Sequence, residues 1–228
     1  MTIIFLHGSG CSANVWDKQT EVFNGALAPD FPGHPEGVSV NSISEMAQWL
    51  INYIENRDLS EVVLVGHSLG SAVALQTAIY NRVSINALVL IGSGARLKVF
   101  PQLLASLANI ADQNGAIPES LLSSNQGIPE PHRSEINKAI INNGAKTMLN
   151  DFLACDQFDV MEQLSKVDIP VQIIVGQQDQ MTPKKYAEYL DNNLPNSDLK
   201  VVEEGSHMVF TEKPDVVNNI IKDFINQL

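Results

Sequence analysis

Short apolar runs alternate along the chain with longer stretches of helical periodicity. The runs are residues 3–6, 62–65, 87–91, 171–175 and 199–202, with a weaker sixth at 26–28. Most are continuously apolar rather than alternating. That pattern predicts strands covered on both faces, as in a parallel sheet. Helical patterns fill the gaps. Ser42-Ile43-Ser44-Glu45 has the form of a capping box, in which the serine oxygen accepts from a backbone N–H three residues on. Ile43, Met46, Leu50 and Ile54 then follow at spacings of three and four and make one buried stripe. Residues 70–80, 184–192 and 214–228 are further helices. The last has Pro214 in its first turn and Val217, Ile220, Ile221 and Phe224 on one face. The alternation predicts an α/β fold with a doubly wound, mainly parallel six-stranded sheet.

One stretch breaks the rhythm. Residues 95–166 hold no convincing strand. Leu103, Leu104, Leu107 and Ile110 recur at helical spacing, Pro118, Pro129 and Pro131 interrupt, and Ile136, Ile140 and Ile141 resume. This predicts a helical cap over residues 95–166, inserted into a core made of residues 1–94 and 167–228.

Composition narrows the function classes. The chain has 228 residues, which suits one domain or two small ones. Lys and Arg number 14 against 26 Asp and Glu, a net charge of −12. So acidic a chain repels phosphate backbones, which argues against nucleic acid as a partner. Cys11 and Cys155 are too few for a disulfide framework and read as free thiols. Met1 is followed by no basic segment or cleavage site, and no apolar run approaches the roughly 20 residues of a membrane helix. A soluble, cytoplasmic monomer or homodimer without a membrane span is the expectation.

The chemistry lies in Gly66-His67-Ser68-Leu69-Gly70. This G-x-S-x-G pentapeptide follows the apolar run 62–65 and opens a helix, the setting of a nucleophile elbow. A serine there sits on a sharp turn, and glycines two residues either side remove the collisions that side chains would make. A serine hydroxyl needs a base within hydrogen-bond reach. Of the five histidines, His207 follows the last strand and falls at the same carboxyl edge of the sheet as Ser68. The base in turn needs an acid to fix its tautomer. Asp179 follows the run 171–175 at that edge, whereas the loop after 87–91 reads Gly92-Ser93-Gly94 and offers no carboxylate. The predicted catalytic set is Ser68, Asp179 and His207. The oxyanion formed on attack needs preorganised donors. The Leu69 N–H is one. The other comes from His7-Gly8-Ser9-Gly10, with Ser9 first and Gly10 second. Phe100 and Leu104 from the cap, with Met208, are candidates for an apolar substrate pocket.

At these positions the sequence resembles the α/β-hydrolase superfamily, and within it the small capped carboxylesterase-like enzymes. Phe5-Leu6-His7-Gly8-Ser9-Gly10 with Trp16 is similar to that family's oxyanion segment. Asp30-Phe31-Pro32-Gly33-His34 resembles its Asp-x-x-Gly-x-Gly turn, with Pro35 in place of the second glycine. Asp156, Phe158, Asp159 and Ile169-Pro170 resemble the return from cap to sheet. Gly176, Asp179 and Pro183 match the acid loop. Gly205-Ser206-His207-Met208 with Glu212-Lys213-Pro214 matches the base loop, with Ser206 where glycine is usual. The resemblance implies the α/β-hydrolase fold, a serine–histidine–aspartate triad and backbone oxyanion donors at the positions named. Larger members carry an N-terminal antiparallel hairpin. Here the first strand begins at residue 2 or 3, so a sheet without that hairpin is expected. The family's dehalogenases and epoxide hydrolases carry aspartate at the elbow, which Ser68 argues against. The expected reaction is hydrolysis of a small, apolar carboxylic ester without metal or cofactor. The alternatives are a thioesterase or carbon–carbon bond hydrolase using the same triad, and a non-catalytic ligand-binding receptor on this fold.

Overall fold

A computed structural model of the chain describes residues 1–228. Five parallel strands form one sheet in sequence order: β1 (Thr2–Leu6), β2 (Val62–His67), β3 (Ile85–Ile91), β4 (Val171–Gly176) and β5 (Ser197–Val202). The apolar runs are continuous because both faces of the sheet are buried. Ile4, Leu6, Leu64, Leu88, Leu90 and Ile173 enter one core cluster. Their alternating neighbours Phe5, Val63, Val65, Val89 and Ile174 enter the other. The period of two puts successive side chains on opposite faces, so each face needs its own apolar set.

The weak sixth run does not become a strand. Leu27 makes a single parallel bridge to Ile4, with Phe5 N–H donating to the Leu27 carbonyl at 2.8 Å and Leu27 N–H to the Ile3 carbonyl at 2.9 Å. Pro29 follows two residues on and has no N–H for a longer ladder. The sheet therefore has five strands, extended at the β1 edge by one bridge.

The helices are α1 (Asp17–Thr20), α2 (Ile43–Glu55), α3 (Leu69–Tyr80), α4 (Pro101–Asp112), α5 (His132–Gln157), α6 (Lys184–Asn193), α7 (Val209–Glu212) and α8 (Pro214–Ile225). Buried residues of α2, α3 and α6 join one core cluster and those of α8 join the other, which covers both faces. Helix α2 starts at the expected cap. The Glu45 N–H donates to Ser42 Oγ at 3.1 Å, while the Glu45 carboxylate accepts from the Asn41 N–H rather than from Ser42. No helix is long and apolar enough to cross a membrane.

Between β3 and β4 the chain is helical, with α4, the 3₁₀ segments Glu119–Asn125 and Met161–Lys166, and α5 between them. The segment leaves and returns through a narrow neck. Arg96 and Asp159 form an antiparallel bridge, and the Val160 N–H donates to the Ala95 carbonyl at 2.9 Å. Helix α5 is broken at Gly144, whose φ of 81° lies outside the helical range. Beyond the break, Met148 and Asp151 contact Gly10 in the loop after β1.

Candidate active site

Ser68 stands between β2 and α3 with φ 52° and ψ −116°. That conformation is uncommon for a residue with a Cβ and is held by what surrounds it. Gly66 and Gly70 make the turn possible. A Cβ on Gly66 would fall on the Gly70 carbonyl, and one on Gly70 would fall on the carbonyls of Leu6 and His7. The sequence rule for the elbow is thus a local steric fact.

Asp179 and His207 come together from the loops after β4 and β5. His207 Nδ1 lies 2.8 Å from Asp179 Oδ2, with both side chains at most 6% exposed. Asp179 is braced on all sides. Oδ1 accepts from the Met181 and Thr182 N–H groups, each at 2.9 Å, and Oδ2 accepts from Thr182 Oγ1 at 2.8 Å. Burial alone would raise the Asp179 pKa, but the hydrogen bonds from His207 and Thr182 outweigh it and leave the carboxyl below its ordinary value. The pair therefore holds a carboxylate. The sequence does not mark Thr182 as a partner of Asp179, because that contact depends on the turn the loop after β4 makes in the fold.

Ser68 and His207 line one cavity of about 710 Å³. They make no hydrogen bond to each other. His207 Nε2 has no protein partner, and Nδ1 is committed to Asp179. Such contacts often tighten only when substrate is bound.

The loop after β1 holds both candidate oxyanion donors, and one of the two is occupied. The Gly10 N–H donates to Asp151 Oδ2 at 2.7 Å and is thereby occupied. The Ser9 N–H has no main-chain acceptor. Leu69 is the first residue of α3, ahead of the intrahelical ladder, so its N–H is also free. Asp151 belongs to α5, in which Met148, Asp151 and Cys155 recur at spacings of three and four and share a face. Met148 packs on Gly10, Asp151 holds Gly10, and Cys155 Sγ lies 3.7 Å from Ser9 Oγ. Burial pushes the Cys11 and Cys155 thiols each up to about 12, so neither supplies a thiolate near neutral pH.

Two further histidines are structural partners of the site. His67 is completely buried and donates from Nε2 to the His207 carbonyl at 3.0 Å, which makes it the Nε2–H tautomer. Burial and the nearby His207 keep its pKa well below the usual range. His7 donates from Nδ1 to the Gly8 carbonyl and accepts from the Phe31 N–H at Nε2, and burial lowers its pKa to about 3. Sequence spacing does not reveal the His67 contact, since its partner lies 140 residues away.

The substrate-pocket candidates fare differently. Met208 is buried and lines the cavity. Phe100 and Leu104 do not. Phe100 is 76% exposed at the N-terminal end of α4, and the wall residue from that helix is Leu103. One residue along a helix turns the side chain by about 100°, and the stripe facing inward here includes Leu103 and Leu107. No group of three or more His, Cys, Asp or Glu side chains is arranged to hold a metal ion.

A model of the alpha/beta hydrolase family matches residues 3–220. The chain belongs to that family. Its members' esterases are among its relatives. It is 26% identical to a pimeloyl-[acyl-carrier protein] methyl ester esterase of Neisseria meningitidis serogroup B, over 98% of this chain and 92% of that protein. Among solved structures, a thermophilic esterase is 31% identical with a TM-score of 0.86, covering 99% of this chain and 89% of that one. A lipase-esterase related protein from Clostridium acetobutylicum ATCC 824 is 25% identical with the same TM-score, covering 98% and 93%. This alpha/beta hydrolase is therefore a hydrolytic enzyme with the parallel sheet and flanking helices of its family.

Proposed function

We propose that the protein is a serine hydrolase of carboxylic esters, with Ser68 as nucleophile, His207 as base and Asp179 as the acid that orients it. Ser68 Oγ attacks the ester carbonyl carbon while His207 Nε2 takes the hydroxyl proton. The carbonyl oxygen becomes an oxyanion held by the Ser9 and Leu69 N–H groups. As the tetrahedral intermediate collapses, the carbon–oxygen bond to the alcohol breaks and His207 gives that alcohol its proton. A water then attacks the acyl-enzyme, surrendering a proton to His207. The bond to Ser68 breaks, the carboxylic acid leaves, and the proton returns to Ser68. Asp179 stays ionised throughout and stabilises the imidazolium.

The observation that carries this reading is the buried Asp179–His207 pair at 2.8 Å, sharing one cavity with a serine held at φ 52°. Relatives named as ester hydrolases support an ester as the bond cleaved. The test is turnover of p-nitrophenyl esters by wild type beside Ser68→Ala. The variant should lose roughly 10³-fold or more, as nucleophile deletions do in such triads. A fluorophosphonate probe should label wild type and not the variant. Near-normal turnover by Ser68→Ala overturns the assignment. Acyl thioesters and vinylogous diketones in the same panel separate ester cleavage from thioester or carbon–carbon cleavage.

A further inference from the structure

The cavity has two kinds of wall, and they come from different parts of the chain. Cys11, Ile140, Met148 and Phe152 are apolar. Met148 packs directly on Gly10 of the oxyanion loop, and the other three pack in or against the same apolar cluster. The loops that carry Asp179 and His207 line the cavity with more polar than apolar side chains. Gln178, Gln180 and Ser206 line the cavity there, beside Met181 and Met208. The cap segment that faces these loops is mostly polar as well, contributing Ser123, Ser124 and Gln126 beside Leu121. Its seat against the base loop is close: a Cβ on Gly127 would lie 2.6 Å from Glu212 Oε1, and Glu212 in turn accepts from the Ser206 N–H at 2.7 Å.

The chemistry of the reaction assigns these walls. This rests on the serine-hydrolase reading above. The leaving alcohol must take its proton from His207, so it lies against the loops that hold the base. The acyl chain then extends toward the apolar wall. The polar wall bears no free cation. Lys213, which also lines the cavity, lies 3.3 Å from Glu204, and Glu212 is tied to Ser206. An anionic leaving group would meet those carboxylates without a free positive partner, and an unpaired charge is costly to desolvate. A purely apolar alcohol would leave the amides and hydroxyls without partners once water is displaced.

We propose that the leaving group is a neutral alcohol rich in hydroxyl or amide groups, as in a partial glyceride or sugar ester, and that the acyl group is apolar. The sequence-based expectation of an apolar substrate is thus confined to the acyl half.

The test compares 2,3-dihydroxypropyl butyrate with propyl butyrate. The two share the acyl group and the carbon count of the alcohol, and differ only in hydroxyls. Wild type should prefer the dihydroxypropyl ester by roughly tenfold or more in kcat/KM, the worth of one or two net hydrogen bonds. The double variant Gln178→Leu with Ser123→Ala should pull that ratio back toward one. Neither side chain makes a hydrogen bond within the protein, which limits the damage of the change. A wild-type ratio at or below one overturns the proposal, as does a ratio that the double variant leaves unchanged. If neither ester shows turnover that Ser68→Ala removes, the hydrolase reading falls and the proposal with it.

Discussion

His34 Nε2 lies 2.9 Å from Asp151 Oδ2, and the two side chains are 1% and 2% exposed. They are 117 residues apart, one in the turn after the β1-edge bridge and the other on α5. The same carboxylate oxygen accepts from Gly10 in the loop after β1. His34 also contacts the Phe31 carbonyl from Nδ1 at 3.1 Å. A carbonyl and a carboxylate both accept, so this arrangement favours the imidazolium, which can donate from both nitrogens. This buried pair fastens the inserted helix to the loop beneath it.

Removing the carboxylate should therefore loosen both. Asp151→Ala leaves the His34 ring and the Gly10 N–H without their acceptor. Breaking one side of a buried pair costs about 3 kcal/mol or more. Urea unfolding should show that loss, and ester turnover should fall by about tenfold or more through kcat. Asp151→Asn keeps an oxygen for Gly10 and should recover part of the turnover. Equal kcat values for the two variants would mean that the Gly10 contact has no bearing on the reaction.

The same pair sets a pH dependence of stability. Burial opposes the charged form of His34, but the Asp151 carboxylate, the Phe31 carbonyl and the nearby Asp30 outweigh it and raise the pKa above 6.5. The folded state then binds more protons than the unfolded one. Stability from His34 is full below about pH 6.5 and is lost as pH rises through the folded value. His7 and His67 have lowered values, so their share rises with pH up to about 6.5 and is flat above it. Asp179, also lowered, loses its share only as pH falls below about 3.8. Denaturation midpoints should peak near pH 6.5, and Asp151→Asn should flatten the descending limb. A wild-type midpoint still climbing above pH 7 contradicts the imidazolium.

His67 holds the carbonyl of His207, the proposed base. His67→Phe keeps a ring against Phe210, now 4.7 Å away between centroids, but removes the donor to His207. We expect kcat to fall by about tenfold, in line with a lost second layer of support around a catalytic group, with KM nearly unchanged. His67→Gln can place an amide N–H near the Nε2 position and should restore part of kcat. Loss of stability without loss of kcat in His67→Phe, or no recovery in His67→Gln, points to a packing role alone.

Gly92 guards the other side of His207. Its φ is +54°, and a Cβ there would lie 3.1 Å from His207 Nδ1 and 3.4 Å from Asp179 Oδ2. Gly92→Ala should cost about 1–3 kcal/mol in backbone strain. It should also push the imidazole off Asp179 and lower kcat by tenfold or more. A variant with wild-type kcat would show that the ring has room to spare.

Much of the candidate site is legible in the sequence because its signals are local. The elbow needs Gly66 and Gly70 whatever the rest of the chain does, since the clashes they avoid lie within a few residues or in the adjoining strand. The capping serine at 42 and the apolar runs of β1 to β4 are likewise read within a short window. The run at 26–28 misled because two small residues around Leu27, ended by Pro29, support one bridge but not a ladder. Phe100 and Leu104 misled because apolar spacing marks a stripe without saying what it faces.

By itself, then, the sequence determined the α/β fold, the turn at Ser68 and the order in which Ser68, Asp179 and His207 reach the carboxyl edge of the sheet. These follow from backbone sterics and from the period of apolar positions. Only the tertiary structure showed that Asp151 takes the Gly10 N–H while the Ser9 N–H has no main-chain acceptor, gave Thr182, His67, His34 and Asp151 their partners, and gathered the residues that line the cavity. Each of those depends on side-chain contacts made by the completed fold, most of them between segments more than 100 residues apart, and hydrogen bonds and packing across such distances leave no trace in local spacing.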